Sequence, residues 1–462
     1  MAAKRLSKIE NYFSVQTVNL VFVGIWFNVE KILNISPRIT RILNWIYDIF
    51  ILTLLSHILI LYFITLKAKL GYDEISFNEI TDAVSQINVY GFTTFMHYYC
   101  RIRSKRHIEL LNYVNRHFRF RSNKGLTYVT SERIYFITKT LSFYWTLTGV
   151  VSTLKFGLTP IITRKRMLPL KLMYPFETLE SPTYEILMIL QSIAQVNVGF
   201  GFLICVNFGV VIAMLIGTQY DILAVSNKNI LHTAMFNAGR ISELRKLQEK
   251  HEILYDDSNV YYMSKEEMDN LDDGVNPTPV QNGSLNCKSL TTKPSSSSPK
   301  DSHPKLYNEL RDALRENVLH HQTIIEAHRI LEDIMSPIIL VKYTQVTTLL
   351  CTLFVTILKI SGPVMVSFIE YGMMAIFDLA MLCYAGEIIK TESLKVGDAL
   401  LRSQWYRFDV KFQRLIVIVL ANTQKSLVIT GGKFFNLGWD LFVTSLKLSF
   451  SCFTLLNKLG NN

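Results

Sequence analysis

Seven apolar runs, each about as long as a helix needs to cross ~30 Å of hydrocarbon, roughly 20 residues, punctuate this chain at residues 43–66, 80–100, 134–158, 186–216, 337–358, 364–384 and 434–459. In lipid every backbone N–H and C=O must find a partner within the protein, which leaves helices and closed barrels as spanning structures. The runs lack the apolar–polar alternation of barrel strands and have helical length. The chain is therefore expected to be an all-α membrane protein with seven transmembrane helices.

A content of 49% hydrophobic and 12% aromatic residues argues against an ordinary soluble enzyme of 462 residues. The net charge of +11 raises the question of nucleic acid, but the Lys and Arg residues lie beside the apolar runs rather than on one basic domain, so no nucleic-acid partner is expected. Residues 1–41 are polar and basic, with no apolar segment ending in small residues, so no cleavable leader is read there. A cytosolic amino terminus places about 35 of the basic residues inside and about eight outside, as the positive-inside tendency asks. The densest cluster is Arg101, Arg103, Lys105, Arg106, Arg116, Arg119 and Arg121; Arg164, Lys165, Arg166 and Lys171 pull the other way. Seven spans then leave the carboxyl terminus extracellular, the reverse of a G-protein-coupled receptor.

The domain reading follows the runs. Residues 1–42 form a cytosolic amino-terminal segment, and 43–255 hold helices one to four with a cytosolic extension. Residues 256–305, rich in Ser, Pro and Asn and poor in aromatics, form an insert expected to be disordered. Residues 306–433 hold helices five and six and a cytosolic region, and 434–462 the last helix and an extracellular tail. Gly431 and Gly432 mark the turn from a cytosolic helix into that last span.

The last run carries the functional signal. Asp440, Thr444, Lys447, Ser451, Thr454 and Lys458 recur at steps of four and three, one continuous stripe on a helix, opposite Leu441, Phe442, Leu446, Phe450, Phe453 and Leu456. Ionisable groups within a membrane usually face a water-filled path or a bundle interior, so this helix is read as pore-lining. Asp440 either attracts cations or pairs with Lys433 or Lys447. In a symmetric tetramer Lys447 and Lys458 become rings of four ammonium groups that repel cations, which points to a heteromer if a cation is conducted. No catalytic set, cofactor motif or metal site is found. The six cysteines have no framework spacing, and His320, His321 and His328 lack supporting ligands.

The stretch CYAGEIIKTESLKVGDALLRSQWY, followed by QKSLVITGGKFFNLGWDLFVTSLKLSFSCFTLL, resembles the signature end of the insect odorant receptor family. The loop LPLKLMYPFETLESPTYE, His321-Gln322 and Cys351 resemble that family's pattern as well. The resemblance implies a subunit of a tetrameric, odorant-gated, non-selective cation channel in the plasma membrane of olfactory sensory neurons. It implies a tuning subunit partnered by an insect odorant co-receptor, with small volatile odorants as ligands. On that match the narrow gate falls on Leu455 with Leu459 a turn beyond, and Lys458 stands where the co-receptor commonly has Gln. The long 256–305 insert resembles the co-receptor instead. The family's ligand site, in the outer halves of helices two, three, four and six, nominates Val89, Tyr90, Thr148, Ser152, Met188, Gln191, Phe368 and Tyr371, each of which taken singly also fits helix packing. The rival readings are a homotetrameric channel or the co-receptor itself, a metabotropic seven-helix receptor, and a transporter. The sister gustatory family is set apart by Ser451-Cys452-Phe453-Thr454-Leu455-Leu456 in place of its usual ending.

Overall fold

The computed structural model describes residues 14–26, 30, 34–70, 77–123, 129–163, 166, 168–170, 172–240, 302–359, 363–403 and 405–460. Residues 241–301, which take in most of the 256–305 insert and the end of the cytosolic extension before it, lie outside these residues. The described elements are α1 (Ser14–Phe22), α2 (Pro37–Leu70), α3 (Phe77–Ile102), α4 (Ser104–His117), α5 (Glu132–Thr163), α6 (Thr183–Lys228), α7 (Ile230–Asn237), α8 (Ser302–Lys359), α9 (Pro363–Arg402), α10 (Val410–Thr423), β1 (Thr430–Gly431), β2 (Phe435–Asn436) and α11 (Trp439–Gly460).

Six of the seven apolar runs fall within one long helix each, α2, α3, α5, α6, α8 and α9; the seventh, 434–459, starts in the hairpin at Phe434 and enters α11 only at Trp439. Among the described residues, stretches of four of them, α2, α6, α8 and α9, are long and apolar enough to cross a membrane by length and composition. The face of α2 that leaves the bundle shows why: Ile42, Trp45, Ile46, Ile60, Phe63 and Ile64 are all exposed, an apolar surface that only lipid or another chain can cover.

Helix α6 is the hub, packing against α2, α3, α5 and α9. Its residues Val206 to Ile216 are nearly all buried, so its apolar run continues around the helix instead of forming a stripe. The carboxylate of Asp48 on α2 meets Arg101 at the end of α3 at 2.6 Å, and Arg101 also donates to the Gly24 carbonyl at 2.9 Å. Much of the basic cluster after the second run is similarly engaged. Arg103 pairs with Asp333 at 3.3 Å, Arg106 with Glu109 at 2.8 Å, and Gln219 bridges the backbone of Arg119.

Helix α1 adds to the reading of 1–42 as a cytosolic lead-in. It packs against α5 and α6, and its two amides are absorbed by partners far along the chain. Gln16 donates to the Ser142 hydroxyl at 2.7 Å and Asn19 to the Thr146 hydroxyl at 2.9 Å, while Ser142 passes its own proton to Asn207 at 2.8 Å. Phe22 stacks on Phe200 with centroids 3.8 Å apart. The side-chain N–H groups of Gln16 and Asn19 are thus met inside the bundle, while the Gln16 carbonyl oxygen is buried with no hydrogen-bond partner among the described residues.

Helix α8 runs 58 residues, straight through Pro337. A proline inside a helix removes one N–H and leaves the carbonyl four residues back without its partner. Tyr99 of α3 reaches that turn, donating to the Ile334 carbonyl at 3.0 Å with Asp333 O at 3.5 Å. Helix α6 continues past its apolar run to Lys228, and α8 begins at Ser302, well before its own run at 337. There, Ile230, Leu310, Leu314, Leu400, Phe412 and Ile416 form a second, smaller core joining α7, α8, α9 and α10.

The glycine junction ahead of the last helix is a β-hairpin, with Thr430 opposite Asn436 and Gly431 opposite Phe435. Gly432 and Lys433 hold φ of 58° and 65°, the left-handed region in which glycine is unstrained. The chain leaves the hairpin close against α9. A Cβ on Gly386 would stand 2.5 Å from the Leu437 carbonyl oxygen and 2.8 Å from its carbon. Gly386→Ala is therefore expected to cost about 1–3 kcal/mol by forcing backbone apart. Thermal melting of the detergent-solubilised protein checks this, and an unchanged midpoint contradicts it.

Candidate functional site

Helix α11 rests on α8 and α9. Its packed arc consists of Ser445 and Ser449, fully buried, flanked by half-buried Leu441, Phe442, Leu446, Cys452 and Phe453. Two serines lie at the centre of this contact because each hydroxyl donates back to its own helix, Ser445 to Leu441 O at 2.6 Å and Ser449 to Ser445 O at 2.9 Å. They therefore bury no free donor and let the helices come close. The Cys351 thiol on α8 contacts Ser449 O at 3.7 Å, Phe354 meets Phe453 edge-on at 5.9 Å, and on α9 Tyr384 lies 6.4 Å from Trp439.

The stripe lies on the opposite side. Asp440, Thr444, Lys447, Ser451 and Thr454 are all exposed and form the middle of a face that none of the described residues covers. Its edges are apolar, with Val443 and Phe450 along one and Leu448 and Leu455 along the other. Phe450 thus belongs to an edge of the open face, not to the packed side on which the sequence pattern put it. The stripe's hydroxyls donate backwards, Thr444 to Asp440 O at 2.8 Å and Ser451 to Lys447 O at 2.9 Å, leaving oxygen lone pairs facing outward. Lys433 does not pair with Asp440; its ammonium meets Glu332 at 2.6 Å. Among the described residues Asp440 and Lys447 have no ion pair. The side chains of Lys458 and Leu459 lie outside the described residues.

The nominated ligand residues divide into groups. Val89 and Tyr90 on α3 and Gln191 on α6 are all buried. The Tyr90 hydroxyl donates to Gln195 Oε1 at 2.7 Å, and its ring lies 5.2 Å from that of Tyr62 on α2. Gln191 accepts from Leu170 N at 2.9 Å and donates to the Tyr174 hydroxyl at 3.2 Å, tying down the loop that carries the Tyr174-Pro175-Phe176 triplet. Met188, one turn earlier on α6, is half-buried. Thr148 is exposed, its hydroxyl turned back to Tyr144 O and Trp145 O at 3.0 and 2.8 Å, so it does not join this group. Ser152, Phe368 and Tyr371 have side chains outside the described residues. Sequence reasoning missed Tyr62, Tyr174 and Gln195. The available signal was Gln195 itself, a second amide one turn from Gln191 within an apolar run.

An apolar, aromatic-lined region with a few convergent polar groups is the usual character of a small-molecule site. If a ligand lodges here, Tyr90→Phe loses one hydrogen bond and leaves the Gln195 carbonyl unpaired, worth about 1 kcal/mol. The half-maximal ligand concentration is expected to rise about fivefold at unchanged surface level, and a dose–response measurement that overlays wild type contradicts that assignment.

His320, considered as a metal ligand in the sequence, has its Nε2 3.0 Å from Gln219 Oε1. Burial, with Arg119 and His321 nearby, holds its imidazole well below the usual histidine range.

The family model described as 7tm Odorant receptor matches residues 77–450. Odorant receptor 83a of Drosophila melanogaster is 27% identical over 427 residues, 91% of this chain and 89% of its own. Another sequence of that fly, named as an odorant receptor, 85e, is 29% identical over 388 residues, 82% of this chain and 78% of its own. The structure of the insect olfactory receptor OR5 from Machilis hrabei in complex with eugenol superposes with a TM-score of 0.66 at 14% identity, covering 99% of this chain and 98% of that one.

Proposed function

From the premise that the chain belongs to the 7tm odorant receptor family, a multi-pass receptor of the plasma membrane and not an enzyme, we propose that it is a subunit of an odorant-gated cation channel whose pore is lined by α11. Seven helices cross the membrane, with the amino terminus cytosolic and the carboxyl terminus outside, and four subunits surround the pore. The observation that carries the reading is the uncovered polar stripe of α11 with its two apolar edges. On a symmetric axis the stripe faces water, the edges meet the neighbouring copies, and Leu455 narrows the path with Leu459 beyond it. Asp440 and Lys447 then set the charge along the pore wall.

A channel built from this chain alone is the first reading. The solved relative that matches it end to end is one olfactory receptor with eugenol, and the reading needs no second kind of chain. The ligand is a small volatile molecule held by Val89, Tyr90, Met188 and Gln191, with Ser152, Phe368 and Tyr371 as further candidates, in an olfactory neuron. The second reading, a tuning subunit partnered by a co-receptor, is favoured by Lys447, which lies on the open face with no ion pair among the described residues. Four such ammonium groups at one level oppose cation passage, and one does so far less.

Whole-cell current under a panel of volatile ligands, first from this chain alone and then with an insect odorant co-receptor, tests both. Ligand-evoked current from the chain alone establishes the homomer, and current only with the partner establishes the heteromer. Surface-expressed protein that passes none in either case defeats the channel reading. A metabotropic receptor would instead present its amino terminus to antibody on intact cells.

A further inference from the structure

Two ionisable side chains meet deep within the apolar runs and take no part in either site above. Lys342 of α8 is 1% exposed, and its ammonium lies 3.0 Å from Asp378 Oδ2 of α9, also buried. A charge at such a position is rare and usually functional. The ammonium also faces two rings, Phe202 of α6 at 4.2 Å and Phe92 of α3 at 5.0 Å from their centroids. Cation–π attraction is strongest where, as here, water is excluded. One ammonium therefore joins four helices. Two of them, α3 and α6, carry Tyr90, Gln191 and Gln195, with Phe92 two residues after Tyr90 and Phe202 two turns after Gln195. The other two, α8 and α9, are those on which α11 rests.

One turn beyond Lys342 is Gln345, itself 3% exposed, and neither polar atom of its carboxamide has a hydrogen-bond partner among the described residues. Its backbone carbonyl is held by Asn88 of α3 at 3.0 Å. A buried amide in this condition calls for explanation. Beside an ion pair it supplies a polar group left unused in this arrangement, as a clasp with two discrete positions requires.

We infer that the Lys342–Asp378 pair, seated on Phe92 and Phe202 beside the unpartnered amide of Gln345, positions α8 and α9 beneath the last helix and relays displacement of the ligand-site helices to it. The inference rests on the channel reading above. A purely structural role makes a different prediction, because replacing a whole buried ion pair with apolar groups of similar size is often neutral.

The test replaces both partners, K342M with D378L, in a chain carrying L455C and C452S. It measures how fast a membrane-impermeant thiol reagent labels position 455 on intact cells without ligand, a readout that needs no current. Labelling at least fivefold faster than in the L455C, C452S parent is expected, because the clasp no longer fixes the bed of α11. A rate within twofold of the parent overturns the inference, whether or not the wild-type chain conducts. The wild-type current separately decides the channel reading. If the double replacement fails to reach the surface, F202L serves instead. It keeps the ion pair and removes one ring, and a two- to threefold faster rate is expected, with no change overturning the inference.

Discussion

Replacing Leu455 with serine is expected to raise ligand-free current per surface subunit on the order of tenfold, the equivalent of about 1.4 kcal/mol in the closed–open equilibrium. Leu455 is 60% exposed on an edge of the stripe, one turn beyond Ser451. A ring of such side chains around an axis closes a path by dewetting, and a hydroxyl in its place keeps the path hydrated. Leu448→Ser supplies the control, since it lies on the same edge two turns earlier and is expected to change basal current less than twofold. Patch-clamp recording normalised to surface biotinylation decides the matter. If Leu455→Ser leaves basal leak, gating and ion selectivity all at wild-type values, Leu455 is not the gate.

The second large effect belongs to Glu332, which pins the hairpin before α11. Its side chain, largely buried on α8, accepts the Thr430 N–H at 2.9 Å, the Thr430 hydroxyl at 2.5 Å and the Lys433 ammonium at 2.6 Å. Gly432 N donates to Ser336 O at 2.8 Å one turn further on, so the hairpin is docked on α8 at two levels. Lys433 is 68% exposed, so water takes over its charge when the carboxylate is lost, and that part of the contact contributes little. The two bonds from Thr430 to a charged acceptor carry the effect, and Glu332→Ala is expected to cost about 2–3 kcal/mol. Glu332→Gln, which keeps one acceptor oxygen, should cost roughly half of that. Thermal melting of the solubilised protein measures both. A double-mutant cycle with Thr430→Val isolates the coupling, and an additive cycle means that the hairpin is held by something else.

The architecture was legible because length and hydrophobicity are local properties: six apolar runs each fell within one helix, the last run supplied α11 after a start in the hairpin, and the glycines at 431 and 432 marked a real turn. The helix running through Pro337 matches the expected continuation of the fifth span, but the phenol of Tyr99 that serves the loosened turn lies more than two hundred residues earlier and is not legible locally. The roles of Gln16 and Asn19 were hidden for the same reason. Their partners, Ser142 and Thr146 on α5, lie over a hundred residues away, and no window on the sequence contains both. The stripe of α11 followed from spacing alone, but the burial of Ser445 and Ser449 beside it depends on hydroxyls that bond within their own helix. In the ligand region Tyr90 and Gln191 were nominated and Gln195 was not, since the bond from Tyr90 joins two helices. Lys342 and Asp378 were each visible as a charge inside an apolar run; their pairing across 36 residues was not.

Helix α1 also bears on how the chain is made. Its nine residues span about 14 Å at 1.5 Å each, far too little to cross a bilayer unaided, and the hydroxyls that take its amides belong to residues 142 and 146. When residue 16 leaves the ribosome, none of its partners yet exists. This amino-terminal helix can be seated only after α5 and α6 have entered the membrane, so its docking is a late event in maturation that reports on whether the segments behind it have assembled correctly.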